Sequence, residues 1–133
     1  MRYLGIDYGS AHIGIALGDD ETRTALPLET IPNDGAERLS AYCSDLIARE
    51  GIGAIVVGVP AMGNVYGEQK KVIEDAITKL QATLSIPVHA ADESFSSRQA
   101  QALLREKGPS PSTDEHAIAA MVILQGYLDR LGG

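Results

Sequence analysis

Two acidic sites in this chain stand where a carboxylate could do chemistry. One is Asp7, in Leu4-Gly5-Ile6-Asp7-Tyr8-Gly9-Ser10; the other is the pair Asp92-Glu93, ahead of Ser94-Phe95-Ser96. Asp7 interrupts an apolar run that alternates as a strand does, with Leu4 and Ile6 on one face and Gly5 and Asp7 on the other. A charge inside a strand is costly unless a cation meets it. Asp92 and Glu93 stand where an apolar run gives way to a helix, so folding could bring Glu93 to Asp7 as part of a cation-binding cluster. Simpler roles remain open: Asp before Gly is common turn chemistry, and acids at a helix N-terminus gain about 0.3–1 kcal/mol. Asp114 and Glu115 fit that second role, Glu115 closing a capping box with Ser112. Lys70 and Lys71 open a helix beside a Gly-rich loop, and Arg98 lies on the next one. They could meet phosphates on one rim, or form a solvated helix face.

The elements that must carry these residues can be read from hydropathy. The strand through Asp7 turns at Gly9 into a second, His12 to Gly18, and Thr24 to Ile31 predicts a third, edge-like strand interrupted by Pro27. From Ala36 to Glu50, Leu39, Tyr42, Cys43, Leu46 and Ile47 recur at helical spacing, with Gly51 and Gly53 at the stop. Ala54 to Pro60 is a continuous β-branched run, as in a strand buried on both faces. A helix follows from about Glu68 to Leu84, with Val72, Ile73, Ala76, Ile77, Leu80 and Leu84 on one side, then a fifth strand, Ile86 to Ala91. Ser96 and Gln99 have capping-box spacing for a helix through Lys107, and a last helix runs to about Leu131. This order predicts an α/β protein: a mixed five-stranded sheet with helices on both faces, the arrangement of the ribonuclease H-like fold. Ligands in such sheets bind beyond the strand carboxyl ends, at a topological switch.

The 133 residues fit one domain spanning 1–133, and 44% hydrophobic with 22% charged residues is ordinary for a globular protein. Cys43 is the only cysteine, which excludes an intrachain disulfide and a thiolate zinc site and fits a core thiol in a reducing interior. No signal-peptide pattern or membrane-spanning run is present, so the cytoplasm is expected and a membrane partner is not. A net charge of −7 argues against nonspecific coating of nucleic acid. It is compatible with an enzyme that meets substrate phosphates through a metal.

Gly5-Ile6-Asp7-Tyr8-Gly9, Val56-Val57-Gly58-Val59-Pro60, Asp92-Glu93 with Ser96, and Ile118-Ala119-Ala120 with Ile123-Leu124-Gln125 follow one another over nearly the whole chain. In order and spacing they resemble the successive motifs of the YqgF/RuvX family. Those proteins are similar in fold to Holliday junction resolvases and are described as nucleases of the small-subunit ribosomal RNA precursor. The resemblance implies a hydrolase of phosphodiester bonds that uses Mn²⁺ or Mg²⁺ and processes the 5′ end of pre-16S rRNA in ribosome biogenesis. Branched or single-stranded DNA, cut in repair or recombination as a resolvase would cut it, is the rival substrate. A catalytically weak nucleic-acid or ribosome-assembly binding module is a further alternative, and a homodimer stays open.

By that resemblance Asp7 and Glu93 occupy two positions of an acidic metal site. Counting back from Ala119-Ala120, the third acid's position holds His116. His116 is then expected as a metal ligand or proton shuttle, with Asp114 as an alternative ligand. An imidazole there shifts preference toward transition metals. In a two-metal scheme, with ions about 3.5–4 Å apart, Asp7 would bridge, Glu93 would hold one ion and His116 would complete the other. Gly5, Gly9 and Gly14 would let the sugar-phosphate backbone come close, and turn or strand packing explains each of them equally well. Two departures remove cationic reach: His12 stands where the family often has Arg before the Ile-Gly of the second strand, and Ser94 where Arg often follows the acidic pair.

Overall fold

The computed structural model describes residues 1–59, 67–92 and 115–131, leaving the side chains of residues 67–69 and 92 aside. Its strands are β1 (Arg2–Tyr8), β2 (His12–Asp19), β3 (Thr24–Pro32), β4 (Ile52–Val59) and β5 (Val88–Asp92). Its helices are α1 (Ala36–Glu50), α2 (Gly67–Thr83) and α3 (Glu115–Leu131). The strands form one sheet in the order β3-β2-β1-β4-β5. β1, β2 and β3 pair antiparallel, whereas β4 joins β1, and β5 joins β4, in parallel. β1 is thus the strand at which pairing changes sense. The helix expected over 96–107 lies outside the described residues.

The two faces of the sheet are built from residues of different size. Leu4, Ile6, Tyr8, Ile13, Ile15, Ile55 and Val57 pack against Leu39, Cys43 and Leu46 of α1 and Ile73, Ile77 and Leu80 of α2. The other face carries Tyr3, Ala16, Ala25, Ala54 and Val56 under α3. Small side chains there let the helix settle onto the sheet: a Cβ at Gly5 would lie 2.8 Å from Leu124 Cβ, and one at Gly18 would lie 2.9 Å from Leu124 Cδ2. Ala117, Ile118, Ala120, Met121, Val122, Ile123, Leu124 and Leu128 of α3 are all buried, so this helix is apolar nearly all round.

Element ends differ from the hydropathy reading where backbone chemistry intervenes. β5 begins at Val88 rather than Ile86 because Pro87 has no N–H to donate, although its carbonyl accepts a bond from Ile55 N at 2.9 Å. Pro27 is tolerated in β3 because this is an edge strand and its register with β2 shifts between Ile15 and Ala16, a bulge. α1 stops at Gly51, whose φ of 67° is left-handed and whose N–H bonds Ile47 O at 3.0 Å. Val72 was expected on the apolar side of α2 but is 54% exposed, since Ile73, Ala76, Ile77 and Leu80 complete the buried stripe without it.

Candidate active site

β1 presents Asp7 one residue before the strand ends. Strand alternation puts Tyr3, Gly5 and Asp7 on the α3 face, opposite Leu4, Ile6 and Tyr8. Asp7 is half-buried, and its cross-strand partner is Gly14 of β2. Gly14 lies beneath the first turn of α3: a Cβ there would sit 1.8 Å from His116 O and 2.9 Å from Ala117 N. The missing side chain therefore lets α3 begin against the sheet, beside Asp7. His116 is exposed on that turn, and its ring stacks on His12 with centroids 5.3 Å apart and planes at 25°.

The parallel strands bring a second strand end to the same edge. Ile6 pairs with Val57, and Val57 with Ala90, so these residues form one row across the sheet. At a strand spacing of about 4.8 Å the ends of β1 and β5 stand roughly 10 Å apart. β5 ends at Asp92. Glu93, Arg98 and Asp114 lie outside the described residues. Lys70 and Lys71 are exposed near the start of α2. Near its other end α2 meets the start of β5, where Gln81 Nε2 donates to Val88 O at 3.0 Å. The lysines consequently sit toward the strand carboxyl edge, but on the sheet face opposite α3. A cavity of about 540 Å³ lined by Arg2, Leu17, Leu26 and Leu28 lies at the far end of β2, away from this corner.

Asn33, in the turn-type run Pro32-Asn33-Asp34-Gly35, ties down the loop that follows Asp7. Its Nδ2 donates to Gly9 O at 2.7 Å, and its backbone N–H to Ala11 O at 2.9 Å. Its Oδ1 accepts from Gly35 N at 3.0 Å and from Tyr8 OH at 3.5 Å. Gly9 N closes the loop onto His12 O at 3.0 Å. The local bond to Gly35 is ordinary Asx-turn chemistry and was legible; the bonds back to the loop were not. At Gly5, Gly9 and Gly14 the packing alternative has direct support. Gly5 and Gly14 lie under α3, and a Cβ at Gly9 would meet His12 O at 2.5 Å.

Among the described residues, no group of three or more His, Cys, Asp and Glu is gathered closely enough to hold a metal ion. Among the described residues the corner carries the carboxylate of Asp7 and the stacked imidazoles of His12 and His116. An oxygen with a nitrogen is a donor set that suits Mn²⁺ better than Mg²⁺, which prefers oxygen throughout.

A model of the RuvX family, described as Holliday junction resolvase, matches residues 1–130. The chain is 40% identical over 130 residues to a protein of Chloroflexus aggregans named "Putative pre-16S rRNA nuclease", covering 95% of this chain and 92% of that one. A protein of the same name from Anaeromyxobacter sp. (strain Fw109-5) is 37% identical over 133 residues, with 97% of each chain covered. In fold the chain is similar to T. thermophilus RuvC, solved in complex with a Holliday junction substrate. The TM-score is 0.68 at 19% identity, covering 99% of this chain and 97% of that one. The architecture is thus the ribonuclease H-like one expected from the element order.

Proposed function

The chain belongs to the RuvX family, and on that premise we propose that it is a divalent-metal-dependent nuclease whose substrate is the precursor of 16S rRNA. The observation that carries this reading is the meeting of Asp7 and the first turn of α3 around Gly14, at the strand carboxyl edge. Asp7, Glu93 and His116 would hold the metal, with Asp114 as a further ligand. Divalent ions held by these residues, Mn²⁺ in preference to Mg²⁺, would supply an activated water and a counter-charge for the leaving oxygen. Asp7 contributes fixed negative charge from a rigid strand. His116, exposed on its turn, would offer a ring nitrogen. Lys70, Lys71 and Arg98 would meet phosphates away from the one being cut. Every group comes from one chain acting as a single domain, 1–133, and requires no second copy. No helix among the described residues is long and apolar enough to cross a membrane, and the cytoplasm is the proposed place of action.

Incubating purified protein and Mn²⁺ with a pre-16S rRNA fragment tests this directly. Asp7→Asn should abolish cleavage while circular dichroism and melting temperature stay as in the wild type; full activity in the variant would reject the assignment. The family description also supports branched DNA as substrate. A four-way junction assayed in parallel, cut faster than the RNA, would replace one substrate with the other and leave the site chemistry as stated.

A further inference from the structure

We propose that His12 is a positioning residue, whose ring holds the imidazole of His116 in one orientation on the first turn of α3. The inference rests on the reading of His116 as part of the catalytic corner and adds a residue which that reading does not require.

Both rings spring from fixed backbone. His12 is the first residue of β2, opposite Pro32, and shares a face with Gly14 two residues on. Its carbonyl accepts Gly9 N at 3.0 Å, and the carbonyl before it, Ala11 O, accepts Asn33 N at 2.9 Å. The backbone of His116 lies against Gly14. Its side-chain torsions fall in staggered wells that decide where the ring nitrogens point. The 5.3 Å stack on His12 favours one of these wells. An aromatic pair of this kind biases one arrangement by up to about tenfold in population.

What His12 supplies in this arrangement is a flat ring, not a nitrogen. His12→Phe should therefore behave like the wild type, whereas His12→Ala and His12→Gln, which lack the ring, should not. The experiment uses full-length protein labelled at histidine and follows the His116 ring resonances by NMR, alone and with substoichiometric Mn²⁺ as a paramagnetic probe. The wild type and His12→Phe should share a ring-current-shifted His116 signal that Mn²⁺ broadens. In His12→Ala and His12→Gln that signal should move and broaden less, with backbone amide spectra otherwise unchanged. In cleavage assays the same two variants should lose about tenfold in kcat with KM nearly constant, as expected for a misplaced group, and His12→Phe should recover it. His116 signals that do not respond to His12→Ala would overturn the proposal. So would a Phe variant as impaired as Ala, which would assign the work to a nitrogen of His12. A wild-type protein that cleaves neither RNA nor DNA, yet shows the shifted His116 signal lost in His12→Ala, would defeat the nuclease reading and uphold the positioning.

Discussion

Adding one methyl group at Gly14 would set a Cβ 1.8 Å from His116 O, backbone against backbone, with no flexible side chain to give way. Overpacking of this kind costs about 1–3 kcal/mol, and Gly14→Ala should lose at least that in urea unfolding. Because the displaced turn carries His116, cleavage should fall further than the stability loss accounts for. Asn33→Leu acts on the neighbouring loop, leaving Gly9 O and Gly35 N without their side-chain partner at about 1–3 kcal/mol. Cys43 shows the opposite situation, a side chain removed from all chemistry. It is fully buried, and burial pushes its thiol from 9.0 up to about 12. Thiol reagents at pH 8 should leave it unmodified until the protein unfolds. Above pH 9 the unfolded chain ionises this thiol and the folded one does not, so stability should fall by about 1.4 kcal/mol per pH unit toward pH 12. The slope should flatten in Cys43→Ala. Asp7 was legible in the sequence because a charge inside an apolar strand is anomalous, and Cys43 because it falls on an apolar helical stripe. Gly14 and Asn33 were not, because each acts on a segment far along the chain: Asn33 on a loop 24 residues back, Gly14 on a helix that begins at Glu115.

Gln125 adds polar ties between α3 and the sheet to the apolar packing. Its Nε2 donates to Arg23 O at 2.6 Å and its Oε1 accepts from Ala25 N at 3.0 Å, which ties the helix to the start of the edge strand β3. Gln125→Leu keeps the bulk and strands the buried Ala25 N–H, a loss of about 1–3 kcal/mol in denaturant unfolding. Gly126 follows in the same helix with nothing within 4 Å of a would-be Cβ. Gly126→Ala should accordingly stabilise the protein by about 0.5–1 kcal/mol through helix propensity alone; a destabilised variant would mean that the glycine is needed for packing. Most elements were legible within a residue or two, since their apolar periods of 2 and 3.6 dominate local structure. Element order and the crossover rules gave a mixed sheet but not its strand order, β3-β2-β1-β4-β5, which no residue pattern records. The misjudged details, the late start of β5 and the exposure of Val72, belong to backbone hydrogen bonding and to helix rotation, which hydropathy does not record.

For the whole molecule, the distribution of charge matters more than its sum. A chain of net charge −7 repels a polyanion at a distance, so binding of the proposed substrate would depend on a few cations and on the proposed metal. Lys70 and Lys71 stand toward the same sheet edge as Asp7 but on the opposite face, and a strand touching both has to cross that edge. The double variant Lys70→Glu with Lys71→Glu should weaken RNA binding and flatten the dependence of log K on log salt by about 0.7 per lost phosphate contact on single strands. Its kcat at saturating RNA should be preserved; a lost kcat would place the lysines at the reacting phosphate. All of this depends on Asp7 and His116 forming, with Glu93, one metal centre. The direct measurement is the anomalous density of a crystal soaked in Mn²⁺. The account predicts a peak at coordination distance, about 2 Å, from the Asp7 carboxylate and bounded by His116 and Glu93. Mn²⁺ bound elsewhere, with Asp7 turned away from it, would contradict the account.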